Sequence, residues 1–471
     1  MSTPRPLSPF EQLLLRDQRP GYPMCFFLIC TVEGALDTAR LARALHQAAG
    51  RHPLVRSRIA GCWWRPAWRE PDSDPEFLAY PSGARVPAPD EPSFPWRPLD
   101  IRRSSGVRMV AIERAPDAWE VVLMVQHSVC DGLAGTEFLG DVWSHYHGSQ
   151  PAPFRTPTRV ARRVSGTSAT PLPAPPAGSH EPPGGLRGET AKFAGFIPAM
   201  VARGPAEIAP GERGSSRPPA GSAGPNVPFV TLGFTREQTA SIKLRAAAAG
   251  ASLNDVAIAA VMRAVAAWNE NAGHPARQIR ITMPASLKPP GTRAAACNEM
   301  GYAFLDRTAA ECRNPADLVG SVAFASRWIQ EHRAANAFLE TLSIIDRFPP
   351  AFWLLTRIPL PLSTAVVSCI GNVGPRMRAN VPRDGGCDLP GDVRITAVAG
   401  VPPIRPGTRL GVGLVIYDGR LHLTTACAAA VVGGSAQFLL AESIRAEILA
   451  CADALPQSPD RLPTGMPDDD A

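Results

Sequence analysis

The sequence predicts an α/β fold of two lobes, and three observations support that prediction. Short apolar runs typical of buried strands occur in both halves of the 471-residue chain. Between these runs lie segments with the apolar spacing of helices. A stretch rich in Pro, Gly and Ser separates the halves. We therefore expect a first lobe over 1–150, a disordered linker over 151–227, a second lobe over 228–455 and a disordered tail over 456–471.

The first lobe is expected to begin with a helix and a buried strand. Ser8 and Glu11 form a capping-box pattern around Pro9, a residue well suited to the first position of a helix. The apolar run at 24–32 predicts a buried strand. Asp37 then lies where it can cap a second helix.

The next elements of this lobe lead to the most informative stretch of the sequence. The β-rich runs at 107–113 and 119–126 predict a hairpin, and a helix is expected over 134–147. Between the second strand and that helix stands QHSVCDG, residues 126–132. A buried strand thus delivers a histidine at its end, followed closely by an acid and a glycine.

The second lobe is predicted to mix strands and helices in a similar way. PFVTLGF reads as a strand, and Thr235 opens a capping box for the helix that follows. Ser252 caps a segment that is apolar on nearly every side, which predicts a buried helix. Asp418-Gly419 stands between two apolar runs and is typical of a two-residue hairpin turn.

Composition limits the classes of function. The net charge of +6 is modest for this length, and no basic stripe with interleaved aromatic residues is present, so nucleic-acid binding is not expected. Ten cysteines without a CxxC pair exclude the usual zinc and thioredoxin patterns and suggest a reducing compartment. The N-terminal stretch is polar, so we expect a cytoplasmic protein, while peripheral contact with a membrane surface stays open.

The residues of QHSVCDG leave several roles open. A histidine at a strand end is held rigidly, as a general base requires, although His127 could equally be structural. Asp131 could orient the imidazole or form a salt bridge that fixes the turn. Gly132 permits backbone angles that other residues resist. Cys130 could be the nucleophile of a cysteine hydrolase, a further alternative.

The stretch HSVCDG resembles the HxxxDG motif of the condensation-domain and chloramphenicol acetyltransferase-like acyltransferases. Other segments resemble that superfamily in its own order, over nearly the whole chain except linker and tail: LSPFEQLLL, LARALHQAAGRHPLVRSRI, NDVAIAAVMRAV, MPASLK, CNEMGYAF, GNVGP and PGTRLGVGLVIYDGRLHLTTA. Gln126 stands where the commoner peptide-condensation form has a first histidine, and the DFGWG motif of the plant-type branch is absent. The resemblance is therefore nearest to the wax ester synthase/diacylglycerol acyltransferase and polyketide-associated acyltransferase branches.

This resemblance implies two chloramphenicol acetyltransferase-like lobes that form a pseudo-dimer with a tunnel between them. It implies transfer of an acyl group from a CoA or carrier-protein phosphopantetheine thioester to an acceptor alcohol or amine. No metal and no cofactor apart from the thioester substrate are implied. A catalytically inactive module that binds a carrier protein would keep the same fold and is the alternative.

The resemblance also implies roles for individual residues. His127 would be the general base, and Asp131 and Gly132 would complete the catalytic motif. Ser368 and Asn372 lie where the family places tunnel residues, although an asparagine before Val373-Gly374 could equally stabilise a turn. Lys288 stands in MPASLK where the family has an arginine, and we expect it to support the site by pairing with Asp131.

Overall fold

The computed structural model describes residues 4–155, 204–211 and 229–456, apart from short gaps at 20, 63, 70–71, 89–90, 92–93, 290, 358–360, 378–381, 384–385 and 429–430. Most of the expected linker lies outside the described residues, as does nearly all of the expected tail.

Strands and helices alternate along the described chain. The strands are β1 (Arg5–Pro6), β2 (Cys25–Glu33), β3 (Ile59–Ala60), β4 (Ala67–Trp68), β5 (Glu76–Tyr80), β6 (Val107–Ala115), β7 (Ala118–Gln126), β8 (Phe229–Gly233), β9 (Gln278–Ser286), β10 (Met300–Thr308), β11 (Ala365–Asn372), β12 (Cys387–Leu389), β13 (Val393–Val401), β14 (Leu410–Tyr417) and β15 (Arg420–Cys427). The helices are α1 (Pro9–Asp17), α2 (Thr38–Gly50), α3 (Pro53–Arg56), α4 (Gly132–His147), α5 (Arg236–Ala248), α6 (Leu253–Asn271), α7 (Pro315–Glu331), α8 (Ala335–Ile345), α9 (Pro349–Arg357), α10 (Val373–Met377) and α11 (Gly434–Asp453).

Two six-stranded sheets form the framework, which confirms the α/β class. The first sheet has the order β12-β13-β2-β7-β6-β5, and the second has the order β10-β9-β11-β14-β15-β8. Strands β12 and β13 belong to the second half of the sequence, yet β13 pairs antiparallel with β2. The second half therefore supplies one edge of the first sheet, and main-chain hydrogen bonds join the two halves of the chain.

The predicted helix starts are confirmed where the sequence showed a cap. The side chains of Ser8, Thr235 and Ser252 each accept a hydrogen bond from the backbone amide three residues later, and all three form complete capping boxes. Asp37 accepts in the same way at the start of α2. These caps are local, so they can be read directly from the sequence.

The predicted hairpins are confirmed as well. In the β14–β15 turn, Asp418 and Gly419 have φ of 49° and 70°, the left-handed pair that a tight two-residue turn requires. Strands β6 and β7 pair antiparallel through a turn in which Asp117 has a φ of 57°. Strand β7 is the central partner of both β2 and β6, and its C-terminal end carries the histidine.

Candidate active site

A cavity of about 250 Å³ lies between the two sheets. The first half of the chain contributes one wall through α1, β2 and the first turn of α4, and the second half contributes the other through β9, β10, β11 and residues of β13, β14 and the segment between them. Most of the wall is apolar, with Leu13, Met24, Phe26, Met300 and Ile370 among the lining residues. The cavity can therefore hold an apolar chain between the two halves of the molecule.

His127 lines this cavity directly after the end of β7. Its backbone amide donates to the carbonyl of Met24 at 2.8 Å, and its ring packs edge-on against Phe26 with centroids 5.2 Å apart. Burial lowers the pKa of the imidazole, and the nearby backbone carbonyls of His127 and Cys130, with the charge of Asp131, oppose this to a smaller extent. The ring is therefore neutral at neutral pH, the state that a general base needs.

Asn298 holds the histidine segment from the other half of the chain. Its side-chain Nδ2 donates to the backbone carbonyls of His127 and Ser128, both at 2.9 Å. The residue lies in CNEMGYAF, a segment that the resemblance includes, but its role was not predicted. The contact spans about 170 residues of sequence, so no local pattern indicates it.

Asp131 connects the start of α4 to the second half of the chain. Its Oδ1 accepts from the amide of Ala134 at 2.9 Å and thereby caps the helix. Its Oδ2 accepts from the amide of Glu299 at 3.0 Å, just before β10. The carboxylate is 5% exposed, so these two main-chain donors replace water as its partners.

The expected ion pair between Asp131 and Lys288 is not formed among the described contacts. Both carboxylate oxygens of Asp131 accept from main-chain amides, and the buried Nζ of Lys288 has no hydrogen-bond partner within the described chain. Burial lowers the pKa of Lys288, but the negative charges of Asp131, Glu137 and Glu299 help to outweigh that effect, so its pKa is raised. Lys288 therefore acts on the site as a nearby positive charge rather than as a contact partner.

Gly132 is the first residue of α4 and lines the cavity. Its backbone is not in the left-handed region, so the conformational reason expected for this glycine is wrong. A Cβ at this position would lie 3.4 Å from the Cδ1 of Ile370 across the cavity wall. The missing side chain therefore keeps space open beside the amides of the first helical turn.

Ser368 and Asn372 both lie on β11, but their side chains have different surroundings. Ser368 lines the cavity. Asn372 is exposed, and its Oδ1 accepts from the amide of Gly374 at 3.2 Å. This contact corresponds to the turn-stabilising alternative, and Asn372 is not among the residues that line the cavity.

Cys130 and Gln126 flank the histidine without reaching the cavity lining. Burial raises the pKa of the Cys130 thiol well above its ordinary value, so this cysteine is not poised as a thiolate nucleophile. The Oε1 of Gln126 accepts from the amide of Ser128 at 2.7 Å. Gln126 thus shapes the turn that follows β7.

A buried ionic network centred on Asp141 of α4 was also not predicted from the sequence. Asp141 is fully buried and accepts from Arg51 at 2.7 Å and from the Nε2 of His52 at 3.0 Å, and it also contacts Arg293 from the second half. The Nδ1 of His52 accepts from the amide of Ala296 at 2.8 Å. The network therefore joins α4 to the segment that leads to Asn298.

Comparison with solved structures establishes the fold. The first condensation domain of the calcium-dependent antibiotic synthetase is 19% identical, with a TM-score of 0.64 over 97% of this chain and 98% of that one. Polyketide synthase associated protein 5 from Mycobacterium tuberculosis is 17% identical, with a TM-score of 0.58 over 95% and 98%. The starter condensation domain of rhizomide synthetase, in complex with C8-CoA and Leu-SNAC, is 14% identical, with a TM-score of 0.61 over 97% and 96%.

The chain therefore has the two-lobed fold of the condensation domains, as its resemblance to the CoA-dependent acyltransferase superfamily predicts. No family model matches the sequence. Two curated relatives, the uncharacterized proteins MT2362 and Rv2305 from two strains of Mycobacterium tuberculosis, are 27% identical over 426 residues, which is 86% of this chain and 90% of each relative.

Proposed function

We propose that this protein transfers an acyl group from a thioester of CoA or of a carrier protein to a hydroxyl or amine acceptor. The observation that carries the proposal is the neutral, buried imidazole of His127 on the wall of a cavity between two sheets. A cavity lined mainly by apolar side chains suits an acyl chain, and a neutral imidazole beside it suits activation of an acceptor.

The reaction needs one proton acceptor. His127 takes the proton from the acceptor hydroxyl or amine, and the freed electron pair attacks the thioester carbonyl carbon. The tetrahedral intermediate then collapses, the carbon–sulfur bond breaks, and the imidazolium returns its proton to the departing thiolate. This sequence balances without a covalent enzyme intermediate, a metal or a redox partner.

The first turn of α4 offers donors for the oxyanion that develops. The initial amides of a helix have no intrahelical acceptor, and the positive end of the helix dipole favours negative charge. Asp131 engages the amide of Ala134, which leaves the amides of Gly132 and Leu133 beside the cavity. Ser368 on the opposite wall is a further candidate donor.

The structural neighbours support the thioester class of donor. One neighbour is a starter condensation domain in complex with C8-CoA and Leu-SNAC. Gln126 in place of a first histidine favours the ester-forming branches, so alcohols are the first acceptors to test. The proposal places the reaction in the cytoplasm, where CoA thioesters are available.

The test is thiol release from short, medium and long acyl-CoAs with pooled alcohols and pooled amines. We expect release to require an acceptor and to fall by about 10²–10⁴-fold in His127→Ala. Cys130→Ala is the matched control and should retain activity. An active His127→Ala with an inactive Cys130→Ala would contradict the mechanism, and a parent protein that binds a carrier protein but turns over no donor would favour the inactive binding module.

A further inference from the structure

Helices α8 and α9 and the turn between them expose several large apolar side chains. Ile344, Phe348, Trp353 and Leu354 are 40%, 66%, 42% and 51% exposed. The described chain has nine exposed large apolar side chains, and these four lie together within an eleven-residue stretch. Single exposed apolar residues are ordinary, but a contiguous group marks an interaction surface. We call these four residues the α8–α9 patch.

The two patch residues on α9, Trp353 and Leu354, lie on one face of that helix. Positions 350, 353, 354 and 357 are exposed, whereas Phe352 and Thr356 are buried. The exposed face therefore carries Trp353 and Leu354 with Arg357 at its end. The guanidinium of Arg357 lies 5.5 Å from the centroid of the Trp353 ring.

The opposite face of the two helices covers the cavity. Phe338, Leu342 and Phe352 are buried in a cluster with Leu14 and Met24. Leu14 and Met24 also line the cavity. The same helical pair thus packs on the cavity wall with its inner face and presents apolar side chains outward.

The charges around the patch are mainly positive. Arg347 and Arg357 are exposed, and Arg102 lies near enough to Arg16 on α1 to lower the pKa of Arg16. Asp346 is a nearby acid. Burial raises its pKa, and the positive charge of Arg16 opposes this effect. Glu340 is exposed on α8, four residues before Ile344. Among these groups, the basic side chains outnumber the acidic ones.

We propose that the α8–α9 patch docks this protein on the surface of a bilayer that contains anionic lipid. Tryptophan, phenylalanine and leucine on one face with arginine at its edge are the residues that interfacial helices use. The apolar side chains enter the boundary of the acyl chains, and the arginines contact the lipid phosphates. Docking in this way places α8 and α9, which cover the cavity, against the bilayer, which is a source of apolar substrates.

No single helix of the described chain is long and apolar enough to cross a membrane. Helices α5 and α6 are long and apolar enough only when taken together, and they are bent by 99° relative to each other.

Vesicle co-sedimentation tests the proposal without any measurement of activity. The full chain is mixed with vesicles of phosphatidylcholine alone or with added phosphatidylglycerol. We expect binding that is stronger with the anionic lipid. The double variant Trp353→Ser/Leu354→Ser should bind at least about tenfold more weakly, because each of these half-exposed side chains contributes about three- to tenfold when the rest of it leaves water. Arg347→Glu should weaken binding by roughly fivefold or more, and only to the anionic vesicles.

The matched control is Phe438→Ser/Leu439→Ser on α11, two apolar side chains that are 49% and 62% exposed elsewhere on the surface. The control variant should bind vesicles as the parent does, and both double variants should keep the parent's thermal unfolding midpoint. A parent that stays in the supernatant overturns the proposal, as does equal loss of binding in the two double variants. A patch variant that dissociates a dimer while vesicle binding is unchanged would assign the patch to a second copy of the chain instead.

Discussion

Asn298 and His127 come from different halves of the chain and lie in direct hydrogen-bond contact. The Nδ2 of Asn298 donates at 2.9 Å to the carbonyl oxygen of His127 and equally to that of Ser128. Two backbone groups of the histidine turn are therefore satisfied by one side chain from the segment before β10. This arrangement fixes the base relative to the second sheet, which forms the other wall of the cavity.

Asn298→Ala should impair turnover more than it impairs binding. Removing the amide leaves two buried carbonyls without their donor, which should cost about 1–3 kcal/mol of stability and let the histidine turn shift. We expect kcat to fall by about tenfold or more, since a small displacement of the base is costly, while KM changes little. Steady-state kinetics with one accepted acyl-CoA measures the two constants separately.

Asn372→Ala is the control for that experiment, because Asn372 is exposed and caps a turn outside the cavity lining. Equal losses of kcat in the two variants would mean that Asn298 has no particular role in placing His127. A loss of stability in Asn298→Ala with unchanged kcat would make its role purely structural.

The pH profile of the reaction should reflect the buried state of His127. Burial lowers the pKa of the imidazole from its ordinary value of 6.5, so the ring stays neutral to a lower pH than a solvent-exposed imidazole does. The acid limb of kcat/KM is therefore expected below 6.5. The profile should be measured with a donor that does not itself titrate in this range. An acid limb at or above 6.5 would show that the base is not this buried imidazole.

Stability should depend on pH through the same residue. Below 6.5 the unfolded chain takes up a proton at His127 that the folded chain resists, so stability falls as the pH drops through 6.5. His127→Gln removes this contribution and should make the decline of the unfolding free energy shallower. His52, whose pKa burial also lowers, keeps its own contribution in both proteins. Urea unfolding at several pH values compares the two slopes.

Asp131→Ala and Lys288→Met should separate the two roles once expected of a single ion pair. Asp131→Ala loses a helix cap and leaves the Glu299 amide without an acceptor, a combined cost of about 2–4 kcal/mol. Lys288→Met removes a charge with no described hydrogen bond, so stability should change by less than about 1 kcal/mol. Stability is measured by denaturant unfolding. Equal destabilisation of the two variants would support a direct ion pair between Asp131 and Lys288.

Local signals in the sequence predicted much of the fold, and long-range contacts explain what it missed. Ser8, Thr235 and Ser252 cap helices through residues only three positions away, so their roles are visible in the sequence. The pairing of β13 with β2 crosses most of the chain, and no periodicity in either strand specifies its partner. The same limit applies to Asn298, whose bonds depend on the register of two distant segments.

The candidate site shows this limit in more detail. The motif located His127 at the end of a strand, but burial and the neighbouring groups decide its pKa. Lys288 was expected to pair with Asp131 because it stands where the resembling family has an arginine. The actual partners of Asp131 are backbone amides, which every residue except proline carries, so no residue type in the sequence marks them.

Two glycines of α4 should respond differently to the same substitution. A Cβ on Gly140 would lie 2.0 Å from the carbonyl oxygen of Met377 in α10, so Gly140→Ala forces the helices apart and should cost about 3 kcal/mol or more. A Cβ on Gly132 meets only the side chain of Ile370 at 3.4 Å, an ordinary contact. Gly132→Ala should therefore fold normally but reduce turnover of bulky donors. Thermal unfolding and a donor series test both variants together, and a Gly140→Ala protein as stable as Gly132→Ala would contradict the close packing of α4 and α10.

The buried network around Asp141 should be the strongest single ionic contribution near the site. Asp141→Asn removes the negative charge that Arg51, His52 and Arg293 share, and breaking a buried pair in this way costs about 3–5 kcal/mol. Asp388→Asn is the matched control, because Asp388 pairs with Arg394 at 2.7 Å with both side chains partly exposed, where a pair contributes less than about 1 kcal/mol.

Since Arg293 and the segment bonded to His52 belong to the second half of the chain, Asp141→Asn should also loosen the contact between the halves. We expect faster hydrogen exchange at the Ala296 amide in this variant and no change there in Asp388→Asn. Equal unfolding free energies for the two variants would mean that the network contributes no more than a surface ion pair.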